Sequence, residues 1–378
     1  MSTTRAAFVY TTQFEKYHYP PDCPLSTIRA VKTRDGLSSM GLLSGPGRSE
    51  QAPASATREE LEKFHTPRYL DALKRVAEGG FVREDMYMGL GTPDCPVFED
   101  VYRYPVLACG ATLTGARLLL SDEADAVFNP SGGYHHAGPE RAAGFCYIND
   151  LALACIVLAE HGKRVLYLDI DVHHGDGVQN AFYDRSDVMT ISFHESGRTL
   201  FPGSGFEHEI GAGEGRGYSV NVPMRPGTYD EAYMRAFNAI APPLIAAYDA
   251  DIIVLQLGMD ALAGDPLANL SLTNNVHADV VEMALGLGKP LLITGGGGYD
   301  VENTVRGWAL AWTILCGEES EDQASIGLGG VMLETTDWHG GLRDRVLVPD
   351  DTERQFVEPA VDAVIETIQE NVFPIHGL

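Results

Sequence analysis

Six short runs of apolar, largely β-branched residues recur along the chain: RAAFVY at 5–10, ADAVFN at 124–129, RVLYLDI at 164–170, VMTISF at 188–193, DIIVLQLG at 251–258 and PLLITGGG at 290–297. Each has the length of a strand, and each is too uniformly apolar to keep one face in water. Most of the intervening stretches have the pattern of a helix. Thr66-Pro67 followed by YLDALKRVAEGG supplies an N-cap, a proline at the first helical position, amphipathic turns and a glycine stop. NDLALACIVLAEHG at 149–162 repeats the pattern, with Asn149 or Asp150 as cap and Gly162 as stop. Buried strands alternating with helices imply a mostly parallel sheet covered on both faces, so a three-layer α/β architecture is expected. SGPGRSEQAPASAT at 44–57 reads as a surface loop, an acidic stretch near 317–325 as a second loop, and the segment from 355 onward as a closing helix. Neither loop separates two cores, so residues 1–378 are expected to form a single domain.

Lysine and arginine number 27 against 53 aspartates and glutamates, a formal charge of −26. So acidic a surface repels phosphate, and neither nucleic acid nor an anionic membrane is an expected partner. The six cysteines form no CxxC pair and no close cluster, which argues against a zinc ribbon or a disulfide framework. The first twenty residues lack the apolar stretch of a signal peptide, and no run of about 18 apolar residues occurs anywhere. A soluble, cytoplasmic protein is expected.

Ligands of open α/β sheets bind beyond the carboxyl ends of the strands, and the polar residues of this chain collect there. His135-His136 follow the run at 124–129; Asp169, Asp171, His173, His174 and Asp176 follow 164–168; His194 follows 188–193; Asp260 follows 251–258; and Tyr299 follows 290–294. Extended backbone through 166–173 puts Tyr167, Asp169, Asp171 and His173 on one face. Such a row of ionisable groups is costly to bury without a compensating cation, and Asp171 with His173 offers zinc suitable oxygen and nitrogen ligands. An isolated Asp-x-His is more often the solvated end of a strand; the surrounding carboxylates and histidines favour the metal. Beside a metal, two imidazoles serve as base and electrostatic catalyst if a carboxylate orients each, and Asp169 and Asp176 are the two spare carboxylates. GGGGYD at 295–300 completes neither a dinucleotide fingerprint nor a P-loop. Its glycines instead let backbone pass close to a ligand and set Tyr299 over it as a donor to a developing oxyanion.

These residues resemble the zinc-dependent histone deacetylase superfamily, which includes class I enzymes and bacterial acetoin-utilisation proteins. The resemblance rests on GTPDCPVFE at 91–99, SGGYHHAGPERAAGFCYIND at 131–150, YLDIDVHHGDGVQNAF at 167–182, FPGSG at 201–205, YSVNVP at 218–223, LQLGMDALAGDPL at 255–267 and TGGGGYD at 294–300, in the family's order over nearly the whole chain. It implies the arginase/deacetylase fold, with a central sheet of about eight strands. It also implies one Zn2+ per chain on Asp171, His173 and Asp260. His136 then corresponds to the general base, paired with Asp176, and His135 to the electrostatic histidine, paired with Asp169. Tyr299 corresponds to the tyrosine that polarises the substrate carbonyl. Gly144, Phe145 and Phe201 resemble the wall of the acyl-lysine tunnel, Asp94 the rim aspartate that holds substrate amides, and Leu267 an apolar rim residue. Structural K+ sites would fall around Asp169, Asp171, His173, Ser192 and Phe193, and around Phe182, Arg185, Val188 and Tyr218. Arg185 stands where a neutral residue is usual. Near the N-terminus YHYPPDCP replaces the usual His-Pro pair, so the resemblance does not define the wall of the inner pocket, and Arg29 is similar to the arginine that lines it.

The activity so implied is hydrolysis of the amide of N-ε-acyl-lysine, in a peptide or protein, with a small-molecule amide as the alternative substrate and a non-catalytic acyl-lysine binder as the other reading. A binuclear manganese ureohydrolase on the same fold would need two further carboxylates. Gly175 and Leu262 stand at those positions. Polyamine deacetylases of the superfamily carry a glutamate where this chain has Leu267, so a peptide-borne acyl-lysine is the expected partner.

Overall fold

The computed structural model describes residues 4–318 and 341–378. Eight strands form one sheet: β1 (Ala6–Val9), β2 (Arg48–Gln51), β3 (Ala126–Asn129), β4 (Val165–Asp169), β5 (Val188–Glu195), β6 (Ser219–Met224), β7 (Ile252–Gln256) and β8 (Leu291–Thr294), in the order β2-β1-β3-β8-β7-β4-β5-β6. Every pairing is parallel, so the sheet is parallel throughout rather than mostly so. The helices are α1 (Ile28–Ser39), α2 (Arg58–Leu61), α3 (Pro67–Ala77), α4 (Arg103–Leu120), α5 (Asp150–Glu160), α6 (Asp176–Phe182), α7 (Asp230–Tyr248), α8 (Asn274–Gly286), α9 (Val301–Leu315) and a closing helix at Asp351–Asn371. The helices α4, α5 and α6 pack together on one face, while α1, α9, α8, α7 and the closing helix follow one another across the other. Phe8 of β1 and Phe128 of β3 meet Trp312 and Trp308 of α9 edge-on, tying the sheet to that second layer.

The helix signals in the sequence act as expected. Thr66 Oγ1 accepts from the Tyr69 N–H with Pro67 opening α3. Asn149 Oδ1 accepts from the Ala152 N–H at 2.8 Å, so Asn149 rather than Asp150 caps α5. The closing helix begins at Asp351, earlier than the apolar pattern suggests, because Asp350 and Glu353 form a reciprocal capping box.

The edges depart from the sequence reading. Residues 44–57 are not all loop, since Arg48–Gln51 forms β2 beside β1. Its residues, RSEQ, are all polar because an edge strand has only one neighbour and keeps contact with water. At the opposite edge, β6 contains Pro223, tolerated because a proline lacks only the donor that an edge strand leaves unpaired. The strand at 164–170 ends at Asp169, so Asp171 and His173 belong to the turn beyond it. Most of the acidic stretch near 317–325 lies outside the described residues. Among the described residues no helix is long and apolar enough to cross a membrane.

Candidate active site

Four adjacent central strands, β3, β8, β7 and β4, send their carboxyl-terminal turns to one rim, where His135-His136, Tyr299, Asp260 and the 169–176 segment meet. The turns are held from below by side chains. Asn149, besides capping α5, donates through Nδ2 to the carbonyls of His135 (3.2 Å) and Ala137 (2.9 Å). Asp150 accepts from the N–H groups of Gly133 and Tyr134, at 3.0 and 2.8 Å. The chain on both sides of the histidine pair is therefore fixed before any ligand arrives.

Asp171, His173 and Asp260 are buried and present ligand atoms that all lie within 4.8 Å of one another. His173 Nδ1 is 2.9 Å from Asp260 Oδ2 and 3.3 Å from Asp171 Oδ1. The outer oxygens are occupied elsewhere. Asp171 Oδ2 accepts from the Gly297 N–H and from Gln256 Nε2, both at 2.7 Å, and Asp260 Oδ1 accepts from the Val172 N–H at 3.0 Å. Asp171 Oδ1, which also accepts from the His173 N–H at 2.9 Å, Asp260 Oδ2 and one imidazole nitrogen are left close together, a donor set that suits zinc. The electrostatics agree. Burial and the neighbouring Asp171 charge push Asp260 up to about 7. Burial opposes a charge on His173, yet its bonds to Asp171 and Asp260 outweigh that and lift it to about 10. A divalent cation relieves both strains at once, displacing a proton as it enters.

Beside this cage, His135 Nδ1 donates to Asp169 Oδ2 and His136 Nδ1 to Asp176 Oδ1, each at 2.8 Å. The two Nε2 atoms are 3.0 Å apart, a hydrogen-bonding distance that requires one proton between them. The electrostatics favour His135 as the donor. Burial disfavours its charge, but Asp169 and Asp171 more than compensate and raise it to about 9. Burial, reinforced by the charge on His135, lowers His136 to about 4 in spite of Asp176, leaving it neutral. Tyr167 donates to the same Asp169 oxygen at 2.5 Å.

The cavity over these groups is lined by Gly144, Phe145, Tyr299 and, from the N-terminal segment, Leu25. The Phe201 ring stands 5.0 Å from that of His136, nearly perpendicular, and Phe145 lies 5.9 Å from Tyr299. Gly144 has φ +53°, and a Cβ there would come within 2.5 Å of the His136 ring and 2.9 Å of Phe201. The Tyr299 hydroxyl is pushed well above its ordinary pKa by burial and by Asp260, so it stays a donor. Asp94 is half-buried and accepts from the Gly144 N–H at 3.0 Å and from Thr92 at 2.7 Å. Leu267 is half-buried on the 261–270 loop.

Two expected positions fall elsewhere. His194 lies within β5, bonded to Ser192 and the Gly205 carbonyl, and His174 bonds Ser204 and Gln179, so both belong to the scaffold. Arg29 is buried, donates to the Gly298 carbonyl at 2.7 Å and stacks on Trp308, bracing the turn before Tyr299. The Arg185 guanidinium, at the second expected K+ site, is paired with Asp187. Gln256 was not singled out from sequence; a lone amide ending the apolar run IIVLQ was the available signal. Tyr19, from YHYPPDCP, is buried and donates to the Phe145 carbonyl at 3.0 Å.

The two further carboxylates of a ureohydrolase are missing at Gly175 and Leu262. A Cβ on Gly175 would already lie 2.4 Å from Asp169 Oδ2, and Leu262 is buried and apolar. Among the described residues Asp171, His173 and Asp260 form the only candidate metal cluster.

Fold and site together define an α/β enzyme whose hydrolase centre offers a buried metal-binding cluster. The histone deacetylase domain model matches residues 24–315. Histone deacetylase 9 of Arabidopsis thaliana is 40% identical over 321 residues, covering 84% of this chain and 75% of that protein. Histone deacetylase 8 of Xenopus tropicalis is 41% identical over 267 residues, covering 70% of this chain and 72% of that one. The crystal structure of an HDAC homolog from Aquifex aeolicus superposes with a TM-score of 0.84 at 30% identity, covering 94% of this chain and all of that one. The chain belongs to the histone deacetylase family.

Proposed function

We propose that the protein hydrolyses the amide of an N-ε-acyl-lysine carried by a peptide or protein. The observation that carries this reading is the meeting, in one cavity, of the Asp171–His173–Asp260 cage with the aspartate-held histidine pair and Tyr299. Asp171, His173 and Asp260 would hold one zinc ion, whose chemistry is to polarise the amide carbonyl and make a water acidic.

The protein's own groups supply the rest. Gly144, Phe145 and Phe201 enclose the acyl-lysine stem, and Asp94 and Leu267 face the substrate backbone at the mouth. Neutral His136 exchanges the hydrogen bond that its Nε2 accepts from His135 for one from the attacking water, takes the water's proton there and later delivers it to the departing lysine amine. His135, oriented by Asp169, keeps its proton and so places positive charge beside the carbon that becomes tetrahedral. The Tyr299 hydroxyl donates to the oxygen that gains charge. Apolar Leu267 favours a peptide-borne acyl-lysine over a polyamine. Residues 1–378 would act as one catalytic unit. The six unpaired cysteines are in keeping with a cytoplasmic setting. Around Asp169, Asp171, His173, Ser192 and Phe193, and around Phe182, Arg185, Val188 and Tyr218, the turns would accommodate structural K+.

A fluorogenic acetyl-lysine peptide tests this. Cleavage is expected with zinc bound, loss on chelation, and recovery on adding zinc back. Binding of the peptide without cleavage, even with one zinc per chain, would instead make the protein an acyl-lysine binder.

A further inference from the structure

Glu195, the last residue of β5, is 1% exposed, and nothing above assigns it a task. A carboxylate so buried is costly unless its oxygens are satisfied. Here three neutral donors satisfy them. Oε1 accepts from Asn269 Nδ2 at 3.0 Å and from Thr199 Oγ1 at 3.0 Å, a hydroxyl proton shared with the Ser196 carbonyl at the same distance, and Oε2 accepts from the Asn269 N–H at 2.9 Å.

The donors lie on two separate loops. Thr199 is two residues before Phe201, and Asn269 is two residues after Leu267. The far end of the Leu267 loop is anchored as well, because Asp265 accepts from the Leu267 N–H (2.9 Å) and the Tyr299 N–H (2.7 Å). Glu195 also donates its own N–H to the Val172 carbonyl at 2.8 Å, between the ligands Asp171 and His173. One residue therefore links the metal turn, the Phe201 loop and the Leu267 loop. Phe201 itself is 44% exposed, so packing alone fixes it poorly and its place depends on the loop that carries it.

We propose that Glu195 is a positioning residue that clasps the Phe201 and Leu267 loops together and thereby sets how tightly the mouth grips a polypeptide-borne acyl-lysine. This rests on the function proposed above. Glu195 touches neither substrate nor the reacting atoms. A carboxylate suits the task because it accepts from all three donors; a glutamine amide would turn an NH2 group toward one of them.

The test uses the zinc-loaded, full-length protein and the variants Glu195→Gln and Thr199→Val. Steady-state kinetics are measured on an acetyl-lysine peptide and on a single-residue acetyl-lysine amide. Amide hydrogen exchange is followed across 196–205 and 261–270. For Glu195→Gln the peptide KM is expected to rise about tenfold, as for loss of one hydrogen bond to a charged group, with kcat nearly unchanged. The single-residue substrate should be affected less, zinc content should stay the same, and both loops should exchange faster while β4 and β7 do not. Thr199→Val should shift the same quantities in the same direction by less. Unchanged loop exchange in Glu195→Gln, or an equal effect on both substrates, overturns the proposal. Should the native protein cleave neither substrate, the functional reading falls instead, and the exchange data still decide whether the clasp exists.

Discussion

Gly144→Ala puts the geometry of the site under direct strain. The added methyl would lie 2.5 Å from Cδ2 of His136 and 2.9 Å from Cε1 of Phe201, on a backbone at φ +53°. The left-handed conformation alone costs alanine about 1 kcal/mol relative to glycine. The overlap adds roughly 1–3 kcal/mol. His136 has little room to retreat, held by Asp176 at 2.8 Å on one side and by His135 at 3.0 Å on the other. Relief must come from tilting the imidazole and pushing Phe201 outward. Misplacing a reacting group by about 1 Å typically costs on the order of 10²-fold. We therefore expect kcat/KM on an acetyl-lysine peptide to fall about 10²-fold, with the melting temperature a few degrees lower. Zinc content should not change, since Gly144 touches no ligand. Steady-state kinetics, metal analysis and a thermal melt on one preparation give all three numbers. A variant within twofold of the native kcat/KM would refute the claim that this glycine makes room for the base.

Tyr299→Phe should keep fold and zinc and lose about 10²–10³-fold in kcat, the usual effect of removing one oxyanion donor; unchanged turnover would remove the hydroxyl from the mechanism. The pH profile is expected to be bell-shaped, because activity needs His136 without a proton and His135 with one. Asp169 raises the pKa of His135, so Asp169→Asn lowers it. The alkaline limb of kcat/KM should then move to lower pH while the acid limb stays put. If the acid limb moves instead, the roles of the two histidines are reversed.

What could be read from the sequence depended on how local the signal was. The six apolar runs gave the inner strands, and the caps at Thr66 and Asn149 gave their helices, because strand burial and capping are decided within a few residues. The outer strands were not legible. The residues of β2 look like loop until β1 supplies a partner, and Pro223 disguises β6 until its edge position is known. The site residues were legible because they carry their chemistry in their own side chains. Those that act through others were not. Gln256 reaches Asp171 across 85 positions, Tyr19 reaches Phe145 across 126, and Asn269 reaches Glu195 across 74. The opposite error was His194, which follows the pattern of a rim residue yet points into the scaffold toward Ser192 and Gly205.

The central claim is that Asp171, His173 and Asp260 grip a single metal ion on which turnover depends. Metal analysis of the purified protein alongside Asp260→Ala, with peptide hydrolysis measured on the same samples, addresses it most directly. One zinc per native chain, little or none in the variant, and hydrolysis that tracks occupancy are the results expected. Two metal ions per chain, or full hydrolysis by metal-free protein, would contradict it.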